Sequence, residues 1–323
     1  MGNQLITFLL PAYNETENIL PIFDAICNQM QGSDYSFELL FIDDGSQDET
    51  LSAIRSLAIN YKFVKYVSFS RNFGKEAAIY AGLQHAKGDA VILMDVDLQH
   101  PPSLIHELIE GYKEGNHQVV AKRNREGDSK LRTFLSTTFY RFMNQSVNVK
   151  LIDGEGDFRL LSRKAVEALL RLSEGNRFSK GLYEWIGMRK KTISYENVAR
   201  ENGKSKWSIG QLLNYGIDGL VSFNTKPLRL CFYAGAIIMS LSLLYILYSF
   251  ISILQFGIDV PGYFTLISAI LFLGGLQLFC LGILGEYIGR IYNETKKRPH
   301  YLIDDTNIMR SEGERERRIY HES

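Results

Sequence analysis

Two aspartates stand one residue apart at the end of an apolar run. Ala90–Met94 is followed by Asp95-Val96-Asp97, then by Leu98 and Gln99. Carboxylates at that spacing suit a hard divalent cation such as Mg2+ or Mn2+, bridging protein oxygens to a diphosphate. An Asp-x-Asp triplet alone arises often by chance. Its place after a buried-type run, ahead of Gln99 and Pro101-Pro102, raises it well above chance. Two more apolar runs end in polar clusters. Leu5–Leu10 leads into Pro11-Ala12-Tyr13-Asn14-Glu15, and Phe37–Ile42 into Asp43-Asp44-Gly45-Ser46. Turns favour Asp, Asn and Gly for backbone reasons alone, so each cluster singly has a structural explanation. Three acidic clusters at three such ends are harder to dismiss.

The basic residues suggest an anionic partner. Arg123 follows the apolar pair Val119-Val120, and Arg132 and Ser136 are four apart on a predicted helix and share a face. The planar fork of arginine matches phosphate oxygens. Arg200, Lys204, Ser205 and Lys206 form a basic cluster around Gly203, ahead of Trp207. That cluster reads as a clamp closing over a diphosphate, as a juxtamembrane patch facing anionic lipid, or as both.

Something must hold these groups together. Through about residue 200, short apolar runs (5–10, 37–42, 63–69, 90–94) alternate with amphipathic segments, including a helical pattern from Lys75 to Ala86. This alternation predicts a doubly wound, mostly parallel α/β sheet. In such sheets ligands sit beyond the carboxyl ends of the strands, where all three acidic clusters fall. Asn14 with Glu17, and Ser46 with Glu49, have the spacing of helix capping boxes.

The last third changes character. Ile209, Leu212, Leu213, Ile217, Leu220 and Val221 recur at helical spacing, predicting an amphipathic interfacial helix. Leu230–Ile258 and Val260–Gly285 contain no charged residue, and each exceeds the roughly 20 residues a membrane-spanning helix needs. Lys226 and Arg229 before the first stretch, and Arg290, Lys296, Lys297 and Arg298 after the second, place both flanks on the cytoplasmic side. No basic segment followed by an apolar one opens the chain, so a cytoplasmic N-terminal domain is expected. The tail from about Asp304 is polar and expected to be loosely attached. The resulting division is a catalytic domain over 1–207, an interfacial helix over 208–225, a two-helix hairpin over 226–292 and a cytoplasmic tail over 293–323.

Lys+Arg and Asp+Glu are both 36. That balance argues against bulk binding of nucleic acid. Cys27, Cys231 and Cys280 fit neither a zinc site nor a disulfide framework and read as small apolar residues.

In order and approximate spacing, Pro11–Glu15, Asp43–Ser46, Asp95–Pro102, Asp157-Phe158-Arg159 and Gly203–Trp207 resemble a family 2 glycosyltransferase of the dolichol-phosphate mannose synthase type. The likeness is to its bacterial polyprenyl-phosphate form with a two-helix membrane anchor. It runs from the N-terminus through the second span, and it implies a GT-A type fold and a role for each motif. Pro11, Ala12, Tyr13, Glu15 and Asp44 would line the nucleotide pocket, and Asp95 would face the ribose or the metal. Asp97 and Gln99 would ligate Mg2+ or Mn2+. Arg123, Arg132 and Ser136 would hold the phosphate of the lipid acceptor, and Arg200, Lys204, Ser205 and Lys206 the diphosphate. Asp157 lies near the acceptor. Asp157, with Asp97, would be catalytic; a phosphate monoester, with a second pKa near ~6, is largely ionised already, so orienting the acceptor or balancing charge stands beside proton removal as the role of Asp157.

The implied reaction is a single in-line displacement, with inversion, from a nucleotide-sugar to a polyprenyl phosphate such as undecaprenyl phosphate. UDP-glucose and UDP-N-acetylglucosamine are the favoured donors, and GDP-mannose is the alternative. The enzyme would reside in the cell membrane and assemble through its anchors, as a tetramer by resemblance. Processive polysaccharide synthases carry Gln-x-x-Arg-Trp, whereas the corresponding region here reads Gly181-Leu182-Tyr183-Glu184-Trp185. A non-catalytic nucleotide-binding scaffold would not be expected to keep Asp95, Asp97 and Gln99. A transport subunit would place polar groups inside its spans.

Overall fold

The computed structural model describes residues 4–124, 152–195 apart from 173 and 176, and 262–308, with Asn144 and scattered positions between 231 and 255. Two compact units emerge. One comprises the N-terminal two-thirds together with the segment from Pro299 onward, and the other centres on 208–298.

The larger unit is built on an eight-stranded sheet of order β7-β5-β6-β4-β1-β2-β3-β8. Its strands are β1 (Leu5–Ala12), β2 (Ser36–Asp43), β3 (Val64–Phe69), β4 (Ala90–Leu93), β5 (Gln118–Arg123), β6 (Glu155–Ser162), β7 (Lys190–Tyr195) and β8 (Ile303–Thr306). Helices α1 (Thr16–Met30), α2 (Thr50–Asn60), α3 (Lys75–His85), α4 (Leu104–Lys113), α5 (Arg163–Leu170) and α6 (Ser179–Trp185) belong to the same unit. The four strands expected from the apolar runs are all present, and β1 pairs in parallel with both β2 and β4. Unbroken apolar runs make strands buried on both faces, and Phe8, Leu9, Leu10, Leu39, Phe41 and Ile92 are fully buried. Burying each such side chain contributes about 1.5–3 kcal/mol.

Two strands run against the rest. β6 is antiparallel to β4 and to β5, so its first residues lie at the same sheet edge as the last residues of its neighbours. β8 is antiparallel to β3. The polar tail is therefore not loosely attached up to residue 308. Asp305 pairs with Arg55 at 2.6 Å and accepts from the Tyr66 hydroxyl at 2.8 Å. Asn307 accepts from the Tyr66 amide and donates to the Val64 carbonyl, each at 2.9 Å. Tyr301 stacks on Phe69 with centroids 4.8 Å apart. Polar side chains bond the otherwise open edge of β3, a route that hydropathy alone does not reveal.

In the smaller unit α7 (Tyr263–Thr295) continues past the charge-free stretch, and Glu286 and Arg290 pair along it at 2.7 Å. Phe272, Leu278, Phe279, Leu281, Ile288 and Ile291 are exposed on it. Among the described residues this one helix is long and apolar enough to cross a membrane. The amphipathic helix over 208–225, most of the first expected span, the connection between the spans and the tail beyond 308 lie outside the described residues.

Candidate active site

The site is assembled at the carboxyl edge of β1, β2 and β4, joined by the start of β6. Ala12 ends β1 opposite Asp43, which ends β2. The following loops are tied to one another. The Asn14 amide donates to Ser46 Oγ at 3.0 Å, the Gln47 amide to Asn14 Oδ1 at 2.9 Å, and the Glu15 amide to Thr50 Oγ1 at 2.8 Å. The expected capping boxes are not made: Glu15 and Glu49 sit at the N-caps with no side-chain capping bond. Asn14, with φ of 53°, and Ser46 instead spend their side chains joining the loops. Tyr13 stays exposed at the rim.

Asp43 and Asp44 are both buried. Asp43 accepts from the Ser46 amide at 3.1 Å and the Ser68 hydroxyl at 2.7 Å. Asp44 accepts from the amides of Phe73 at 2.7 Å and Gly74 at 2.9 Å, at the start of α3. Burial pushes the Asp44 carboxyl up, and those two amides only partly offset it. Gly45 makes the approach possible. Its φ is +66°, and a Cβ there would stand 2.3 Å from the Arg71 backbone carbon.

The second carboxylate group is arranged differently. Lys75, the first residue of α3, places its ammonium 2.7 Å from Asp95 and 2.8 Å from Asp157. His100 Nε2 stands 3.6 Å from Asp95, while its Nδ1 is 3.1 Å from the Tyr195 hydroxyl and its ring stacks on Phe158. Burial alone would raise the Asp95 carboxyl, but Lys75 and His100 overcome it and hold Asp95 well below the carboxylate range. Asp157 is likewise raised by burial and lowered more by Lys75. Burial lowers the Lys75 ammonium, and the two aspartates raise it far above its usual value. Asp157 reaches this cluster because β6 is antiparallel and begins beside the end of β4.

Asp97 and Gln99 face each other across Leu98, whose φ is 56°. The Gln99 amide donates to Asp97 at 3.2 Å, and its side-chain Nε2 also reaches that carboxylate. Among the described residues no three His, Cys, Asp or Glu side chains converge on a metal position. The oxygen donors of Asp95, Asp97 and Gln99 nonetheless fit a Mg2+-like ion, which is commonly held by one or two carboxylates and completed by substrate phosphates.

Arg123 ends β5 beside a cavity of about 320 Å³ that it lines with Lys122, Asn124, Asp153 and Ser194. Arg132, Ser136, Arg200, Lys204, Ser205, Lys206 and Trp207 lie outside the described residues. Pro11, Ala12, Tyr13, Glu15, Asp44, Asp95, Asp97, Gln99 and Asp157 all lie at or beside one edge of the sheet. Sequence reasoning missed Lys75. A signal existed: a lysine at a helix N-terminus opposes the macrodipole and needs compensating anions. His100 stood in a matched motif without a role, and its link to Asp95 depends on contacts that sequence spacing does not encode.

The open, mostly parallel sheet with a carboxylate cluster at its carboxyl edge agrees with the GT-A type α/β fold that the motifs imply. The family model described as Glycosyl transferase family 2 matches residues 7–170, and one described as GtrB C-terminal hairpin matches 226–291. The chain belongs to glycosyl transferase family 2 and is an enzyme of that class. It is 60% identical over 95% of its length to CsbB of Bacillus subtilis (strain 168), whose name places it among glycosyltransferases, and covers 94% of that protein. It is 44% identical over 92% of its length to the bactoprenol glucosyl transferase of Shigella phage SfV, covering 97% of it. A crystal structure of glucosyl-3-phosphoglycerate synthase from Mycobacterium tuberculosis, with Mn2+, UDP-glucose and phosphoglyceric acid, covers 68% of this chain and 78% of its own at 21% identity and a TM-score of 0.45.

Proposed function

We propose that this enzyme transfers one glucose from UDP-glucose to a polyprenyl phosphate at the cytoplasmic membrane face, inverting the anomeric carbon. The observation that carries the reading is the Lys75–Asp95–Asp157 cluster beside Asp97 and Gln99 at the carboxyl edge of the sheet. The acceptor and the sugar rest on the likeness to a bactoprenol glucosyl transferase over nearly the whole chain. The hairpin match at 226–291, the apolar helix α7 and the flanking basic residues support a two-span anchor with the catalytic domain on the cytoplasmic side.

Each part of the chain has a defined task in this reaction. The loops after β1 and β2, with Pro11, Ala12, Tyr13, Glu15 and Asp44, enclose the nucleotide. Asp97 and Gln99, with Asp95, would hold Mg2+ or Mn2+, which would supply positive charge to the leaving diphosphate. Arg200, Lys204, Ser205 and Lys206 add fixed charge to the same group. Arg123, Arg132 and Ser136 seat the acceptor phosphate, whose oxygen attacks C1 as the bond from C1 to the diphosphate oxygen breaks. Asp157 orients that phosphate through Lys75 and takes no proton, because the acceptor is already ionised near neutrality.

A donor screen tests this. Purified protein in detergent, with Mg2+ or Mn2+ and undecaprenyl phosphate, receives radiolabelled UDP-glucose, UDP-N-acetylglucosamine or GDP-mannose. Label entering the lipid phase from UDP-glucose is the expected result. Transfer from another donor alone replaces the sugar, and nucleotide binding without transfer from any donor removes the lipid acceptor from the reading.

A further inference from the structure

Behind the carboxylate cluster lies a second polar group that the transfer reaction does not use directly. Glu76 follows Lys75 on α3, and its carboxylate crosses to the start of α6. There it accepts from the Ser179 amide at 3.3 Å and from the Ser179 hydroxyl. One turn on, Tyr183 is buried with its ring under the Arg159 guanidinium, 3.7 Å from centroid to Cζ. Arg159 is itself buried, and its Nη2 donates to the Gly156 carbonyl at 2.6 Å, immediately before Asp157. Its Nε and Nη1 have no hydrogen-bond partner among the described residues. A buried cation so sparsely bonded is costly. Such a cost is accounted for if Arg159 fixes the backbone that presents Asp157.

We propose that Glu76 is a positioning residue for Asp157, acting through the buried series Ser179, Tyr183 and Arg159. The inference rests on the transfer reaction proposed above. Adjacent residues of α3 then serve one carboxylate from two sides: Lys75 binds Asp157 directly, and Glu76 sets the helix that packs behind it. Burial, aided by the Asp157 charge, pushes the Glu76 carboxyl up to about 7, while Ser179 and Arg177 pull it down. The groups facing it are Asp157 on β6, Arg177 and Ser179 at the entry to α6, Tyr183 on α6 and Lys75 on its own helix. Ionised, Glu76 accepts from both Ser179 donors. Protonated, it turns one oxygen into a donor and weakens the brace, so the full arrangement forms as pH rises through neutrality.

The test compares wild type, Glu76→Gln, Glu76→Ala and Ser179→Ala by kcat and donor KM from about pH 5.5 to about 8.5. The same proteins carry fluorotyrosine, with the Tyr183 resonance assigned by substitution. Glu76→Ala and Ser179→Ala are expected to lower kcat about tenfold with donor KM within about twofold, since misplacing a positioned group costs rate rather than ground-state binding. Glu76→Gln presents Ser179 with one acceptor and one donor, as the protonated carboxyl does, so it restores kcat only partly, to about the level of the wild-type enzyme with Glu76 protonated. It also moves the acid limb of kcat down by about one pH unit, to that of the acceptor phosphate. The Tyr183 resonance should titrate near neutrality in wild type and stay flat in Glu76→Gln. A wild-type kcat in Glu76→Ala overturns the proposal. So does joint loss of kcat, donor affinity and thermal stability without rescue by Gln, or a Tyr183 resonance that ignores pH in wild type. Absence of transfer by wild type itself refutes the proposed reaction, and the resonance then still decides the brace.

Discussion

Five of the aspartates described above stand at one edge of the sheet, and four of them divide into two pairs. Asp43 and Asp44 are satisfied mainly by fixed local groups, namely backbone amides and the Ser68 hydroxyl. Asp95 and Asp157 are satisfied mainly by one side chain, the ammonium of Lys75. A carboxylate bonded to amides cannot change partner without moving the chain, so the first pair is fixed in place and shapes the loops around the proposed nucleotide pocket. A carboxylate bonded to a lysine exchanges that partner for another cation or for a substrate group at little structural cost, so the second pair is available for chemistry. The same residue type at the same edge is thus separated by what bonds it, not by where it lies.

The largest expected effect lies at Asp97, the fifth aspartate, next to the exchangeable pair. Asp97→Ala should lower kcat by about 10³ or more, because the divalent cation that Asp97 would hold against the leaving diphosphate is lost. Its thermal unfolding should stay within about 1–2 °C of wild type, as for surface substitutions generally. Full activity in that variant would sink the metal assignment.

Lys75→Met comes next and tests the comparison directly. It should lower kcat/KM by about 100-fold. It should also reverse the pH dependence of stability that this cluster contributes, measured in chelator without donor. In wild type Asp95 and Asp157 have depressed values. Their contribution is present above the unfolded value of about 3.9 and is lost as pH falls through the folded values. Without the ammonium, burial and mutual repulsion raise them. The contribution is then complete below about 3.9 and is lost as pH rises through the raised values. An unfolding temperature that falls between about pH 5 and about pH 8 in the variant supports this. An unchanged profile would mean that Lys75 does not control these carboxylates.

Asp44→Ala probes the fixed side. It leaves the Phe73 and Gly74 amides without their acceptor, which costs about 1–3 kcal/mol, or about 5 °C for a domain of this size. Activity per folded molecule should fall less than in Lys75→Met. The reverse order would erase the distinction between the pairs.

Much of this was legible in the sequence. Unbroken apolar runs ending in acidic turns gave β1, β2 and β4 and put Asp44, Asp95 and Asp97 at one edge. The antiparallel entry of β6, which carries Asp157 to that edge, leaves no mark on hydropathy. Asn14 and Ser46 had the spacing of caps, yet they bond each other's loops because the two strands are neighbours, a tertiary fact that local spacing cannot contain. Lys75 and Glu76 looked like an ordinary helix start for the same reason: their partners are distant in the chain.

The tail was misjudged for a related reason, and it gives the smallest prediction. Composition made the residues after Asp304 look like free chain. Yet Asp305 bonds both Arg55 and the Tyr66 hydroxyl at the open edge of β3. These side chains are substantially exposed, Arg55 at 48% and Asp305 at 33%, so solvent screens the pair and its worth is about 0.2–1 kcal/mol. Asp305→Ala should therefore lower the unfolding temperature by only about 1–3 °C and leave kcat unchanged. The backbone bonds of this edge survive the loss of one side chain, and the Ser70 amide, which donates to the Leu302 carbonyl at 3.0 Å, stays protected from hydrogen exchange in the variant. Loss of that protection would mean that Asp305 alone holds the segment, and the tail would then be the loosely attached chain its composition suggests.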